Sequence, residues 1–315
     1  MRDSMKVIWM AALSVLIIGY FIGQGLTPDN YSFFLSRRIP KVLAICLAAI
    51  AISASSMVFQ TITNNRILTP SILGFDFLYI MLQTIIVVLF GSASILIINQ
   101  KINFFVCVFL MTGLSVLLFS LYFRRRNTNV FTLLLLGIVL GSLFSNISNF
   151  FAMLIDPHEF TVVQNAMFAS FNNVNSELVY WCAPMLTICL LYLLHLSPQL
   201  DVMWLGEDNA KSLGIDTRKL TLQVMLVVSV MISISTALVG PVLFFGLIVV
   251  SLTREIFRTY HHRYLILISS LMAVLLLISG QYFVEKVLKF ETTVSVLINF
   301  VGGSYFLYLL TRNKI

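Results

Sequence analysis

Long apolar stretches divide the chain into ten runs, each about as long as one membrane span. A membrane-spanning helix needs about 20 consecutive apolar residues. The pattern therefore predicts an all-α integral membrane protein with about ten transmembrane helices joined by short polar segments. The seventh and eighth runs are separated only by Gly240 and Pro241, which are compatible with a kink in one span or a turn between two. The runs cover residues 6–25, 40–60, 70–91, 103–123, 129–155, 178–197, 219–239, 241–257, 264–284 and 293–311.

The composition leads to the same class. Of the 315 residues, 59% are hydrophobic and only 10% are charged, and the mean hydropathy is +0.97. A soluble domain carries about 25% charged residues, so a soluble fold is excluded. The first run is not followed by a small-residue cleavage site, and it is predicted to be a permanent span rather than a signal peptide.

The distribution of lysine and arginine predicts the orientation. With the N-terminus in the cytoplasm and ten spans, the inner segments hold 14 of these residues and the outer segments hold 6. Cytoplasmic loops of membrane proteins are enriched in Lys and Arg. We therefore expect cytoplasmic N- and C-termini. The formal net charge of +7 follows from these loops, and no nucleic-acid partner is expected.

The inner segment 198–218 carries an unusual charged stretch, "LGEDNAKSLGI" at residues 205–215. Glu207 and Lys211 are spaced i,i+4, which stabilises a helix. Gly214 is placed to end that helix, and Asp216 is placed to cap the next one. We expect a short helix on the membrane surface, with Leu205, Ala210 and Leu213 exposed to a partner's groove. An ordinary surface loop is the alternative.

Five motifs together resemble one transporter family. "LGEDNAKSLGI" is similar to the coupling loop of permease subunits of the iron-siderophore and vitamin B12 importers, the type II ABC importers. In order along the chain, the other motifs similar to that family's signatures are "RRIPKVLAICLAAIAISASSMVFQTITNNRILTPSILGF", "LLLLGIVLGSLFS", "GPVLFFGLIVVSLTRE" and "GGSYFLYLLTR". The resemblance covers almost the whole chain.

The resemblance implies a type II importer permease fold, with one transmembrane domain over residues 1–315 in a bacterial plasma membrane. Its expected partners are a second permease subunit, two ATP-binding subunits, an extracytoplasmic binding protein, membrane lipid and the cargo, a ferric siderophore. The chain itself is expected to be non-catalytic and without a cofactor, because no phosphate-binding loop is found in it. The residues implied in ATPase coupling are Leu205, Gly206, Glu207, Ala210, Leu213 and Gly214.

The resemblance also implies that Arg38 and Lys41 dock the binding protein, where rim charges contribute association rate and orientation. Interfacial snorkelling is the alternative for both. The sequence departs from the family pattern at four places. The family's Pro-His pair is Val250-Ser251 here, its N-P-L-A reads "NRIL", and its E-L-P-[VI]-G begins at Glu291 and continues "TTVS". The family's D-x-x-x-R of the ninth span is absent from "SGQYFVEKV". These departures favour a heterodimer over a homodimer.

Three polar residues within or near the spans are candidates for the translocation path: Gln60, Asn146 and Asn149. Asn146 and Asn149 are spaced i,i+3 and share one helix face. Polar groups at this depth face protein or a water-filled path, and interhelical hydrogen bonding is the equal alternative. No metal site is predicted, because His261 and His262 have no cysteine or carboxylate cluster beside them.

Two other functions compete with siderophore uptake. An ion-coupled secondary transporter needs ionisable groups inside the membrane, and Asp76 is the only carboxylate near the start of a span. The second alternative is a haem or cobalamin importer of the same family. A membrane-embedded enzyme would need clustered ionisable residues at one depth, which the sequence does not contain. The leading prediction is a permease subunit for ferric siderophore.

Overall fold

A computed structural model describes residues 2–123, 130–172 and 174–312. Four of the 14 lysines and arginines expected on the inner side lie outside these residues, namely Arg124, Arg125, Arg126 and Lys314. Within the described ranges, thirteen α-helices and one 3-10 turn at Pro70–Leu73 form the regular structure. The helices are α1 (Arg2–Gly23), α2 (Tyr31–Ile62), α3 (Phe75–Phe90), α4 (Ile95–Ile98), α5 (Gln100–Phe123), α6 (Val130–Ala152), α7 (Pro157–Ala166), α8 (Ser176–Met203), α9 (Glu207–Ser212), α10 (Thr217–Val239), α11 (Phe245–Ile256), α12 (His262–Lys286) and α13 (Val294–Arg312).

Every predicted apolar run forms a helix. Seven helices of the described chain are long and apolar enough to cross a membrane, namely α1, α2, α5, α6, α8, α10 and α12. The other three runs form the shorter helices α3, α11 and α13. Gly240 and Pro241 begin a break between α10 and α11, with φ of +94° at Gly240 and +51° at Phe244. The chain therefore turns between two helices there and does not kink within one.

Helix α2 is the centre of the bundle. It packs against α8, α10, α11 and α12, and nearly all of its residues beyond Pro40 are buried. Many of them are small, including Ala44, Ala48 and Ser56. A Cβ on Gly246 of α11 would overlap the Ser56 side chain. Small residues let helix backbones approach closely, which is how four neighbours fit around one helix.

Polar contacts join α2 and α12 near both ends. Lys41 forms an ion pair with Glu285, and Thr61 Oγ1 lies 2.8 Å from His262 Nε2. The helices are therefore antiparallel. Twenty residues of helix separate Lys41 from Thr61, about 30 Å at 1.5 Å per residue, which matches the hydrocarbon thickness of a bilayer. We call the end of the bundle that holds Lys41 and Glu285 the Lys41 end. The opposite end, which holds Thr61 and His262, is called the α9 end.

Two element boundaries differ most from the sequence expectation, and in both cases a proline lies inside the helix. The helix of the second run begins at Tyr31 and contains Pro40. Helix α8 continues through Pro198 to Met203, so the segment between α8 and α10 is 204–216 and not 198–218. Proline removes one backbone donor and kinks a helix, and membrane helices tolerate it because neighbouring groups satisfy the freed backbone.

Candidate functional site

Helix α6 carries a polar stripe on an otherwise apolar exposed surface. Ser142, Ser145, Asn146 and Asn149 are spaced i, i+3, i+4 and i+7, so they lie on one face of the helix. Ser145 is half-buried and the other three are exposed. All four side chains are uncharged. We call these four residues the α6 stripe. The asparagines were predicted, and the two serines extend the pattern.

Glycines fix the position of α6 against the start of α3. A Cβ on Gly74 would lie 2.8 Å from the Gly141 Cα, and one on Gly137 would lie 2.9 Å from the Leu73 Cα. Beside this contact is a cavity of about 510 Å³. Its lining is uncharged and consists of Ser71, Ile72, Phe77, Ile138, Gly141, Ser142, Ser145 and Asn146. The cavity thus offers hydroxyl and amide groups beside apolar surface.

Gln60 does not share this face. Its side chain is 1% exposed, and within the described part of the chain neither amide atom has a hydrogen-bond partner. Of the three residues predicted for the path, the structure brings together only Asn146 and Asn149.

At the Lys41 end, both predicted docking cations bind groups of their own chain. Lys41 Nζ donates to Asn172 Oδ1 at 2.7 Å and pairs with Glu285, and its side chain is only 16% exposed. Gln281 Nε2 donates to Asn172 Oδ1 at 3.1 Å and to Glu285 Oε1 at 2.7 Å. No local sequence pattern indicates this network, because its members come from three distant segments.

Arg38 is held in a similar way at the end of α1. Its Nη1 donates to the carbonyl oxygens of Ile22, at 2.8 Å, and of Gln24. A cation is favoured there because carbonyl groups at a helix C-terminus lack partners. A cavity of about 670 Å³ adjoins both cations and is also lined by Arg37 and Lys286. Arg37 and Lys286 are exposed, so these two cations of the cavity lining face solvent.

The predicted helix in the charged stretch is confirmed as α9. Gly206 and Gly214 flank it with φ of +100° and +84°. Glu207 Oε1 pairs with Lys211 Nζ at 2.8 Å, and this hydrogen bond raises the pKa of Lys211. Asp216 Oδ1 accepts from the Lys219 backbone N at 3.0 Å and caps α10 as predicted.

The expectation that Ala210 is exposed was wrong. Ala210 is fully buried, because α9 packs against α8 and α10 and turns its one apolar residue inward. Leu205 and Leu213 are 58% and 63% exposed. The exposed apolar side chains that flank α9 are therefore these two leucines.

A largely buried series of polar contacts joins α8, α12 and α2 near the end of α8. The Asp201 carboxylate of α8 accepts from the His262 backbone N at 2.6 Å and is 2.7 Å from His262 Nδ1. His262 Nε2 in turn contacts Thr61 of α2. These contacts tie α8 to α12 and α2 just before α9 begins. Sequence reasoning weighed His262 only as a metal ligand and missed Asp201, which lies 61 residues away.

The described residues contain no group of three or more His, Cys, Asp or Glu arranged to hold a metal ion. Both ring nitrogens of His262 have protein partners.

The fold is that of a multi-pass transport permease. It combines long apolar helices, an uncharged polar stripe on an exposed helix, and a short surface helix between two spans. The chain matches the model of the FecCD transport family over residues 6–312. It belongs to that family, which confirms the resemblance inferred from the five motifs. It is thus a membrane-spanning transport subunit of the ABC importer type.

The petrobactin import system permease protein YclO of Bacillus subtilis is 49% identical over 314 residues, covering 100% of this chain and 99% of YclO. The petrobactin import system permease protein FatC of Bacillus anthracis is 31% identical over 315 residues, covering 97% and 89%. A solved structure described as an inward-facing conformation of a metal-chelate type ABC transporter superposes with a TM-score of 0.84 at 21% identity, covering 98% of each chain. That last likeness concerns the fold.

Proposed function

We propose that this chain is one permease half of an importer that takes up a ferric siderophore of the petrobactin type across a bacterial plasma membrane. The observation that carries the proposal is the 49% identity to the petrobactin permease YclO over essentially the full length of both chains. The second relative, FatC, is also named as a petrobactin import permease.

In this proposal the α6 stripe lines the translocation path. A ferric siderophore is a large chelate with many oxygen atoms, and it must pass without being held tightly. Uncharged hydroxyl and amide groups donate and accept weak hydrogen bonds, whereas a fixed charge would bind a charged chelate strongly. Because the stripe is on the exposed side of α6, we infer that it faces a second permease subunit, which completes the path. We favour a different chain over a second copy, given the departures at Val250-Ser251 and "NRIL".

Two ATP-binding subunits supply the energy in this proposal, and one of them docks on α9. The exposed Leu205 and Leu213 support this, because they are apolar groups at the ends of a helix whose buried side holds Ala210. Gly206 and Gly214 allow the sharp turns on either side, and the Glu207–Lys211 pair stabilises the helix between them. The polar contacts among Asp201, His262 and Thr61 would transmit a displacement of α9 to α8, α12 and α2.

The Lys41 end is proposed to receive the binding protein. Arg37 and Lys286 are exposed beside a cavity of about 670 Å³ and suit acidic side chains on such a partner. Arg38 and Lys41 support this surface indirectly, because their contacts hold α1, α2 and α12 in place relative to each other. Exchange of Arg37 to Glu is expected to slow delivery, and a charge-reversed binding protein would restore it.

The proposed topology places both termini and the 204–216 segment in the cytoplasm. Asp208 is exposed on α9, so an Asp208→Cys variant tests the topology. A membrane-impermeant thiol reagent should leave it unlabelled in intact cells and label it in inverted vesicles. Labelling in intact cells would reverse the orientation.

The function is tested by uptake of radiolabelled ferric petrobactin in cells that lack this chain and in cells that regain it. Uptake should return with the wild-type chain, persist with a proton uncoupler while ATP is maintained, and exceed uptake of ferric hydroxamates, haem and cobalamin. Equal uptake of another chelate would refute the cargo. Complete loss of uptake with the uncoupler at constant ATP would favour an ion-coupled transporter.

A further inference from the structure

Two arginines stack on one tryptophan at the α9 end of the bundle. The Arg254 guanidinium carbon lies 3.9 Å from the centroid of the Trp204 ring, and that of Arg66 lies 5.6 Å from it. Trp204 is the C-cap residue that directly follows α8, two positions before Gly206. Arg66 comes from the α2–α3 link and Arg254 from the last turn of α11. The site is therefore built from three segments that are distant in sequence.

The hydrogen bonding of this cluster is incomplete. A guanidinium group carries five N–H donors. Within the described chain, Arg254 uses one of them, from Nη2 to the Met57 sulfur at 3.4 Å, and a thioether is a weak acceptor. Its Nε is buried without a partner. Buried donors in native proteins are nearly always satisfied, so the unpaired Nε leaves Arg254 with hydrogen-bonding capacity that the described chain does not use.

The charge of the cluster indicates the chemistry of that acceptor. Two positive groups share one ring, and none of the ion pairs among the described residues joins a carboxylate to either arginine. The indole face offsets part of the cost through cation–π attraction, but the like charges still repel each other. A carboxylate would relieve that repulsion and match the planar, forked donors of arginine.

We propose that Arg66, Trp204 and Arg254 form a binding site for a carboxylate side chain of the ATP-binding subunit. The proposal rests on the proposed function and adds a charged contact to the apolar contact of Leu205 and Leu213. Continuity favours this occupant, because Trp204 adjoins Leu205 and Gly206 at the start of α9. Arg66 is exposed and Arg254 is half-buried, so an arriving carboxylate meets Arg66 first and then reaches the deeper group.

The site has a specific origin in the sequence. Arg66 occupies the position at which the family pattern N-P-L-A has proline, so the local departure "NRIL" creates the outer half of the site. This role depends on the fold, which places residue 66 over the Trp204 ring.

The test uses the ATP-binding subunit that co-purifies with the tagged wild-type chain as the probe. Arg66→Gln, Arg66→Lys and Arg254→Gln are compared with Arg263→Gln, an exposed cation beyond the cluster. The complexes are placed in nanodiscs of phosphatidylcholine, alone or with phosphatidylglycerol, and the dissociation constant of the subunit is measured at several salt concentrations. If no ATP-binding subunit co-purifies with the wild-type chain, the proposed function itself fails, independently of the carboxylate site.

We expect Arg66→Gln and Arg254→Gln each to weaken subunit binding by about 10- to 100-fold, as for loss of one member of a close charge pair at an interface. Arg66→Lys should retain part of the affinity, and Arg263→Gln should change it less than about threefold. The two glutamine changes together should cost less than the product of their separate effects, because they share one carboxylate. Arg66 is exposed, so its variants are expected to fold. They test the proposed carboxylate site even if Arg254→Gln does not fold.

Unchanged binding by Arg66→Gln in both lipids would overturn the proposal. So would an effect of the same size for Arg263→Gln, which would indicate only general charge attraction. An effect that requires phosphatidylglycerol would also overturn it, because the occupant would then be a lipid phosphate group and not the subunit.

Discussion

Gly240 should be intolerant of even one additional methyl group. It has φ of +94° and ψ of 172°, a region that is almost exclusive to glycine. Its Cα faces the segment before α8 so closely that an added Cβ would lie 2.8 Å from the Ala169 Cα and 3.1 Å from the Phe168 carbonyl oxygen. The neighbouring backbone is fixed by a hydrogen bond from Ser170 N to Val239 O of 2.8 Å. Neither side can move without losing that bond.

Two costs therefore add in Gly240→Ala. The strained backbone costs about 1–3 kcal/mol, and displacement of packed backbone costs about 1–3 kcal/mol more. We expect a loss of about 2–6 kcal/mol in the free energy of unfolding. Gly214→Ala separates the two terms, because Gly214 has φ of +84° but no atom within 4 Å of an added Cβ. That variant should lose only about 1–2 kcal/mol.

Gly113→Ala is the matched control for the methyl group alone. Gly113 lies inside α5, with nothing within 4 Å of an added Cβ. Alanine is the better helix former by roughly 0.5–1 kcal/mol, so this variant should be unchanged or slightly more stable. Unfolding is measured in mild detergent with increasing dodecyl sulfate. If Gly240→Ala loses no more stability than Gly214→Ala, the close contact with Ala169 does not exist in solution.

Three further changes test other contacts. Asp201→Ala removes the acceptor that caps α12 and should cost about 1.5–3 kcal/mol in the free energy of unfolding; a loss near zero would contradict the polar contacts among Asp201, His262 and Thr61. Lys41→Met leaves Glu285 unpaired in a half-buried network, and combination with Glu285→Gln should cost less than the sum of the single losses. Additive losses would show that the pair is not coupled. Asn146→Leu should reduce uptake severalfold while assembly with the ATP-binding subunit stays unchanged, whereas Leu143→Ile should not; equal uptake by both would exclude Asn146 from the path.

Much of the fold could be read from the sequence because membrane spans impose a simple length rule. The ten apolar runs all form helices, and the charged stretch at 205–215 forms α9 with its predicted ends. Those features depend on residues close together in the chain: an i,i+4 ion pair, a glycine with positive φ and an aspartate cap. The prolines at 40 and 198 misled the boundary prediction, because their local preference was overridden by packing around α2 and α8.

The sequence by itself thus determined the membrane class, the helices and the family, since each rests on local pattern or on motifs in order. Only the tertiary structure decided which side of each helix is buried. It placed Ala210 and Gln60 inside, engaged Lys41 with Glu285, and stacked Arg254 on Trp204. In a soluble protein the contrast between polar and apolar faces would have indicated these choices. In a bilayer the lipid is as apolar as the core, so a helix can be apolar on every side. Its buried face is then fixed by small residues and polar contacts with partners that are remote in the chain.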